Sequence, residues 1–324
     1  MVVPSLGGTA PVFLRSKYQK YRRETLITVN LGGGYDGSMR RIAMINPVGG
    51  VGKTAIAAGL GHALALAGER VAMIDLDPRG HLAAALGIFR APARGIDQAL
   101  LTSTPVEAAA MGVRDMLTLI PAGSRLAGVE RLQGEGGSRA QALRVALDDH
   151  LQDQAFVLID TTSSSALLVA NALFAADEVL IPVTPDQASL NGAVKVLLSL
   201  KRFAPYFTSS FEAYILLNRV QPRGKLSRNM ERKLRQHFPE LLLKSRIPEV
   251  AAIVESRAIG RTIFEYRAAS PGARAFTELA NELRRLGGRR DKACADADAN
   301  ITSSAAADSG PRFHVEEQAE RVCR

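Results

Sequence analysis

The chain has 324 residues, of which 47% are hydrophobic and 23% charged, and its formal net charge is +9 at pH 7. This composition is ordinary for a soluble globular protein, and the length allows one large domain or two small ones. No apolar run approaches the roughly 18 residues that cross a bilayer, which excludes a membrane-spanning helix, and two cysteines predict neither structural zinc nor a disulfide framework.

The positive charge bears on the kind of partner that the protein binds, and the cysteine content bears on its cellular compartment. The net charge suits a polyanionic partner, although many basic proteins carry such a charge only for solubility. Both cysteines, Cys294 and Cys323, lie in a polar stretch near the C-terminus. A fold without cysteine pairs is typical of a reducing compartment, so we expect a cytoplasmic protein.

Residues 1–38 are interpreted as a flexible basic arm. Its cations between Arg15 and Arg23 follow a mildly apolar stretch, which is the reverse of the order in a secretory signal. The three glycines of residues 32–34 predict a hinge. Because Met39 directly precedes the first convincing strand, the arm is either a genuine extension or the product of an upstream start codon.

The core is predicted to occupy residues 39–287. Short apolar runs without alternation, typical of strands buried on both faces, occur at residues 42–46, 71–75, 156–160, 179–183 and 214–218. Helical stretches lie between or after them, at residues 54–67, 190–203 and 272–286. This alternation predicts an α/β fold with a doubly wound, mostly parallel sheet flanked by helices. Residues 288–324, rich in Ala, Asp and Ser, are predicted to form a disordered tail.

A phosphate-binding loop follows the first predicted strand. Its predicted nucleotide-binding residues are Gly49, Gly50, Val51, Gly52, Lys53, Thr54 and Ala55. The glycines let backbone N–H groups wrap an anion, and the following helix directs its positive dipole end at the same place. Lys53 would neutralise the β- and γ-phosphates and Thr54 would ligate Mg²⁺, so ATP and Mg²⁺ are the expected ligands. Pro47 stands where the ordinary P-loop pattern has glycine, which makes this a deviant Walker A loop.

Two acidic motifs follow downstream. Asp75 and Asp77 end the second predicted strand, where one could hold the Mg²⁺ shell and the other orient the attacking water. A turn with acidic N-caps is the alternative for this motif alone. Asp160 ends the third predicted strand, as in a Walker B motif. We therefore expect Lys53, Asp75 and Asp77 to be catalytic and Thr54, Asp75 and Asp160 to hold the metal.

In this order the three motifs resemble the ParA branch of the ParA/MinD family of deviant Walker A ATPases. Further matching stretches are residues 117–130, 176–183, 247–248 and 255–267, and the resemblance covers about residues 40–286. It implies a homodimer formed on ATP binding that binds DNA non-specifically, or a membrane in MinD-like members. It also implies that a ParB-like or other partner protein stimulates hydrolysis, and that Asn218 contacts adenine.

Three positions depart from the family pattern. Val48 occupies the place of the family's first lysine, which reaches across the dimer to the partner's phosphates. Ala55 replaces the hydroxyl residue after the magnesium threonine, and Thr161 begins a stretch where the family has prolines. Since losing a cation removes stabilisation of the transition state, we expect weak ATP hydrolysis. Arg79 is a candidate for the missing charge.

The sequence leaves three functions open. A partition or positioning ATPase on nucleoid DNA is favoured by nine Lys and Arg in residues 219–246 against Glu231 and Glu240, although a solvated helix face is the alternative. The predicted DNA contacts are Arg219, Arg223, Lys225, Arg228 and Arg232. A MinD-like membrane switch is disfavoured, because residues 313–324 are too charged for an amphipathic anchor. An ATP-binding regulator, for example of polysaccharide synthesis, with little hydrolysis is favoured by Val48.

Overall fold

One eight-stranded sheet organises the chain. The computed structural model describes residues 39–90, 92–131, 139–148, 150–204 and 211–301. The strands are β1 (Arg40–Met44), β2 (Val71–Leu76), β3 (Met111–Arg114), β4 (Leu117–Ile120), β5 (Phe156–Thr161), β6 (Glu178–Val183), β7 (Glu212–Val220) and β8 (Leu242–Pro248). The helices are α1 (Lys53–Leu66), α2 (His81–Ala85), α3 (Ile96–Thr102), α4 (Ala142–Leu147), α5 (Ala166–Ala175), α6 (Gln187–Phe203), α7 (Lys225–His237), α8 (Ala251–Ala258), α9 (Ile263–Arg267) and α10 (Pro271–Ile301). Short 3₁₀ turns occupy Val106–Ala109 and Leu126–Arg131.

The strand order is β3-β4-β2-β5-β1-β6-β7-β8, and every neighbouring pair is parallel except β3 with β4. The connection from β1 to β2 and the connection from β5 to β6 run in opposite directions along the sheet. The direction in which successive strands are added to the sheet therefore reverses between β1 and β5, and a crevice for ligands opens beyond the carboxyl ends of these two strands. The predicted doubly wound, mostly parallel sheet is confirmed.

The core lies on both faces of the central strands. Every residue of β1, β2, β5 and β6 is buried, which explains their apolar runs without alternation. On one face α1 packs against α10, and Gly59 makes this approach possible. A Cβ added at Gly59 would lie 2.5 Å from the ring of Phe276. Phe276, Leu279 and Leu283 are buried, so α10 contributes one face of its helix to the core.

The last helix is longer than predicted. It continues to Ile301 instead of ending at residue 286, so the first part of the tail predicted to be disordered, residues 288–301, is helical. A helical glycine costs only about 1 kcal/mol relative to alanine, which is too little to end a packed helix. Gly287 also lies against Arg40, whose Nη1 donates to the carbonyl of Leu283 at 2.7 Å. Residues 302–324 and the predicted arm, residues 1–38, lie outside the described residues.

Two strands of the sheet, β1 and β8, also differ from the prediction. The first strand begins at Arg40, two residues before the predicted start, because a buried ion pair with Glu178 lets a cation enter the sheet. The edge strand β8 was not predicted as a strand, and its burial alternates between inward and outward positions. Glu282 of α10 accepts hydrogen bonds from the backbone N–H groups of Lys244 and Ser245 on this strand. Within the described ranges, no helix is both long and apolar enough to cross a membrane.

Candidate nucleotide-binding site

The predicted phosphate loop lies at the carboxyl end of β1 and leads directly into α1. Gly50 and Gly52 adopt left-handed backbone angles, with φ of 81° and 97°, which a residue with a side chain rarely tolerates. A Cβ at Gly52 would also lie 2.4 Å from the amide nitrogen of Asn218. Helix α1 begins at Lys53, and its N-cap Gly52 has no side chain to satisfy the first free N–H groups. This geometry fits a phosphate anion bound by the loop and the helix end.

Two asparagines fix the loop from either side. The side-chain nitrogen of Asn46 donates to the carbonyls of Pro182 at 2.8 Å and Ser189 at 3.2 Å, and its oxygen accepts from the N–H of Val48. Asn218 donates to the carbonyl of Val51 at 2.7 Å. Asn46 was not predicted as a site residue, because its signal in the sequence is only that of a polar residue directly after a buried strand. The adenine contact of Asn218 stays a prediction, since the structure assigns its amide nitrogen to the loop.

Lys53, at the end of the phosphate loop, is buried. Its ammonium donates to the carbonyl of Asn46 at 2.9 Å. Burial lowers the pKa of Lys53 from its ordinary value, while the carboxylates of Asp160 and Asp77 oppose that shift. Lys53 is therefore the loop's own positive charge, directed at the place where phosphates would bind.

Asp75 and Asp160 lie side by side in paired register on β2 and β5, and neither is exposed. The two oxygens of Asp75 accept from the backbone N–H groups of Asp77 at 3.0 Å and Leu82 at 3.1 Å. Burial and the neighbouring charge of Asp160 raise the pKa of Asp75 above its ordinary value. Asp75 thus anchors the turn that carries Asp77, and its predicted role at the metal stays a prediction.

Asp160 is the carboxylate that best fits a metal. Both of its oxygens are buried without a hydrogen-bond partner among the described residues. Burial raises the pKa of Asp160 above its ordinary value, whereas the Thr54 hydroxyl and the charge of Lys53 oppose the shift. A hard cation such as Mg²⁺ takes oxygen ligands of this kind. Asp160 and the Thr54 hydroxyl beside it therefore fit Mg²⁺ bound directly or through water.

Asp77 is held ionised by Arg79. The guanidinium Nη2 donates to Asp77 Oδ2 at 2.7 Å and Nε donates to Oδ1 at 3.0 Å. Burial by itself would raise the pKa of Asp77, but these hydrogen bonds outweigh it and lower the pKa. Arg79 is therefore engaged with its own turn. Any role of Arg79 as the cation missing at Val48 would require this ion pair to open.

A cavity of about 330 Å³ opens beside the loop, and Val48, Gly49 and Gly50 form part of its wall. Arg219, predicted as a DNA contact, lines this cavity as well. Arg219 thus lies at the cavity beside the phosphate loop, and its predicted contact with DNA stays a prediction.

The four remaining predicted DNA contacts lie on α7 or directly before it. Arg223, Lys225, Arg228 and Arg232 are all exposed. The last three are spaced by three and four residues, so they share the helix face opposite the buried residues Ser227, Met230 and Leu234. Neighbouring Arg235 and Arg246 both pair with Glu231, whose single carboxylate offsets one of their two positive charges. We call Lys225, Arg228 and Arg232 the α7 cationic row.

The chain is similar to known proteins over about three quarters of its length. A family model described as an AAA domain matches residues 39–213. The chromosome-partitioning ATPase Soj of Thermus thermophilus is 36% identical over 246 residues, covering 76% of this chain and 95% of Soj. The chromosome partitioning protein ParA of Caulobacter vibrioides is 33% identical over 250 residues, covering 76% of this chain and 94% of ParA.

Among solved structures, cobyrinic acid a,c-diamide synthase of Mycobacterium smegmatis with bound ADP and magnesium matches with a TM-score of 0.65 and 29% identity, covering 76% of this chain and 94% of the synthase. The AAA-domain match contains the phosphate loop, Asp75, Asp77 and Asp160, and it ends before Arg219 and α7. The loop and the carboxylates are therefore features of the matched domain, whereas the α7 cationic row lies beyond it.

Proposed function

We propose that this chain, which belongs to the ParA/MinD family of P-loop ATPases, is a partition or positioning ATPase that binds Mg²⁺ and ATP and, as a nucleotide-bound homodimer, binds DNA without sequence preference. The observation that carries this proposal is the position of the α7 cationic row. Helix α7 begins beside the cavity at the phosphate loop, and Leu226 in its first turn lines that cavity. Nucleotide and DNA would thus contact opposite sides of one short segment.

The residues of the loop have separate parts in the proposed reaction. Lys53 and the N–H groups of residues 49–55 bind and orient the β- and γ-phosphates, and Thr54 and Asp160 hold the metal. When bound, Mg²⁺ neutralises charge on these phosphates. Asp77, ionised and nearly buried, orients the attacking water. Hydrolysis would then release the dimer, with stimulation by a ParB-like or other partner protein.

The α7 cationic row fits a phosphate backbone and no particular base sequence. From Lys225 to Arg232 the helix rises about 10 Å, which spans only a few DNA phosphates. Lysine and arginine contacts to phosphate fix position without reading sequence. One chain therefore offers few contacts, and a dimer doubles them, which is how nucleotide binding would control DNA binding.

Replacing Lys225, Arg228 and Arg232 together by Gln is expected to weaken binding to random duplex DNA, with a salt dependence flattened by up to about one unit per lost phosphate contact. Wild-type binding should be stronger with ATP than with ADP. The measurement is a salt titration of DNA binding with each nucleotide. The control removes three exposed cations elsewhere, Lys195, Arg202 and Arg261, and so changes the net charge equally.

Equal weakening by both triple variants would show that binding follows net charge and not the α7 cationic row. Wild-type protein that binds no DNA at low salt, with either nucleotide, would remove the DNA-binding part of the proposal. The solvated helix face would then be the better interpretation of α7.

A second candidate is an ATP-binding regulatory or accessory protein with little or no hydrolysis, and Val48 favours it. The valine is half-buried against α6, where a Cβ added at Gly192 would lie 3.0 Å from its Cγ2. A valine side chain cannot supply positive charge to a phosphate in either subunit of a dimer. Slow turnover would follow from its position alone.

Val48→Lys is therefore expected to raise ATPase activity or ATP-dependent dimerisation, because it adds a cation at the rim of the phosphate loop. The methylene stem of lysine can follow the surface of α6 while its ammonium reaches out. Phosphate release and the oligomeric state with an ATP analogue measure the effect, and Val48→Met is the uncharged control of similar length. Brisk hydrolysis by the wild type, unchanged in Val48→Lys, would mean that another group already supplies the charge.

A further inference from the structure

Two arginines lie on elements next to the candidate site, Arg219 on β7 and Arg257 on α8. Arg219 is the penultimate residue of β7 and lines the cavity formed in part by Val48, Gly49 and Gly50. Arg257 belongs to α8, which packs on α2, the helix that follows the turn of Asp77 and Arg79. Neither arginine takes part in any ion pair between described residues.

The backbone at Arg219 is arranged to direct its side chain. The register between β7 and β8 shifts between Leu217 and Val220, and Arg219 has a left-handed φ of 53°. Such a conformation is unfavourable for a residue with a side chain, and irregularities of this kind re-aim side chains near functional sites. Here the irregularity turns Asn218 onto the loop and leaves Arg219 exposed at the cavity.

The acidic residues of the same cavity are engaged elsewhere. Asp186 caps α6 by accepting from the N–H of Ser189 at 2.8 Å, and it also accepts from the hydroxyl of Thr184. Glu249 accepts from the amide of Gln221 at 2.6 Å. Neither of these two carboxylates, which line the cavity with Arg219, forms an ion pair with it.

Arg257 carries a second guanidinium, on the helix that packs on α2. Its Nε is buried without a hydrogen-bond partner in the part of the chain that the structure describes. Burial lowers the pKa of Arg257 from its ordinary value, Asp160 opposes this shift, and Arg219 adds to it. Both oxygens of Asp160 likewise lack a hydrogen-bond partner, so a carboxylate and a guanidinium nitrogen are both buried without one among the described residues.

A guanidinium without an anionic partner is unfavourable, and burial such as that of Arg257 Nε increases the cost. An anion bound near Arg219 and Arg257 would offset this cost. A nucleoside triphosphate held by the phosphate loop is an anion of suitable charge at this place, and arginine is well matched to phosphate oxygens.

We propose that Arg219 and Arg257 bind the terminal phosphates of the nucleotide from within the same subunit, as a second source of positive charge beside Lys53. This inference rests on the proposed nucleotide-binding function. It assigns Arg219 to the nucleotide and not to DNA, and it gives a loop that has Val48 a cationic complement that needs no second subunit.

The test compares equilibrium binding of AMP, ADP and a non-hydrolysable ATP analogue, each with Mg²⁺, to the wild type and to Arg219→Gln and Arg257→Gln. Each substitution is expected to weaken binding of the ATP analogue about tenfold, as for the loss of a hydrogen bond between charged groups. The effect should be smaller for ADP and absent for AMP. Arg257→Lys should retain more affinity than Arg257→Gln, and Arg261→Gln, at an exposed arginine close to Arg257 in the chain, should bind like the wild type.

Wild-type affinity for the ATP analogue in either Arg219→Gln or Arg257→Gln would overturn the joint assignment. Lys53→Ala separates this failure from a failure of the proposed function. If Lys53→Ala loses nucleotide while both arginine variants keep it, the loop assignment stands and the inference is wrong. If Lys53→Ala binds normally, the nucleotide site itself is wrong. Should Arg257→Gln fail to fold, Arg219→Gln and Arg257→Lys decide the outcome.

Discussion

Lys53→Ala is expected to abolish detectable ATP binding, with a loss of affinity of roughly a hundredfold or more. The substitution removes the loop's own cation and leaves the triphosphate facing the carboxylates of Asp77 and Asp160. Both of these lie close enough to Lys53 to act on its pKa. Equilibrium binding of a fluorescent ATP analogue is the measurement, and Lys195→Ala, an exposed lysine on α6, is the control.

The buried position of Lys53 requires a second readout, because its side chain is only 7% exposed and contributes to packing. Thermal unfolding of the nucleotide-free protein would show whether Lys53→Ala retains the fold. A folded variant with unchanged affinity for the analogue would refute the assignment of the loop. The charge, and not the length of the side chain, is the property under test, so Lys53→Met should lose affinity as well.

The phosphate loop was predictable because its determinants are local. The residues that define it, Gly50, Gly52, Lys53 and Thr54, lie within five positions of one another. The glycines permit the left-handed backbone of the loop, the lysine supplies positive charge, and the threonine supplies a hydroxyl group. The central strands were predictable for a related reason. A strand buried on both faces can contain little except apolar residues, so its composition alone marks it.

Residues fixed by distant contacts could not be predicted in this way. Asn46 holds the loop through carbonyls more than 130 positions away, and Arg257 belongs to α8, almost 100 positions after Asp160. Arg40 was not predicted as part of the first strand, because the partner that allows its burial, Glu178, is 138 positions away in the sequence. Polar residues of this kind have ordinary local surroundings in the sequence. Only the fold shows which group neutralises or accompanies them.

Residues 219–246 contain both residues that can be recognised from the local sequence and one that is fixed by distant contacts. Counting charges over residues 219–246 selected Lys225, Arg228 and Arg232, and the structure shows that helical spacing places them on one face of α7. The same count could not separate Arg219 from them. Its direction depends on an irregular pairing of β7 with β8, which leaves no signal in the composition of the segment.

Asp77→Asn is expected to lower ATP turnover by about 10²–10⁴-fold, the usual contribution of a positioned acid or base, while leaving ATP affinity nearly unchanged. Asparagine keeps the shape of the side chain and removes the negative charge that would orient the attacking water. Phosphate release at saturating ATP, together with affinity for the fluorescent analogue, separates the two effects. Asp75→Asn provides a contrast, because Asp75 anchors two backbone N–H groups and its loss should also lower thermal stability.

Arg79→Gln distinguishes the carboxylate from its ion pair. Arg79 is 58% exposed while Asp77 is 4% exposed, so removing the arginine frees the carboxylate without opening the core. If Asp77 acts on water, Arg79→Gln should retain turnover within about tenfold of the wild type, far above Asp77→Asn. If both variants lose turnover equally, the geometry of the ion pair, and not the free charge of Asp77, supports hydrolysis. Full turnover in Asp77→Asn would exclude this carboxylate from the reaction and leave Asp160 as the acidic group to test.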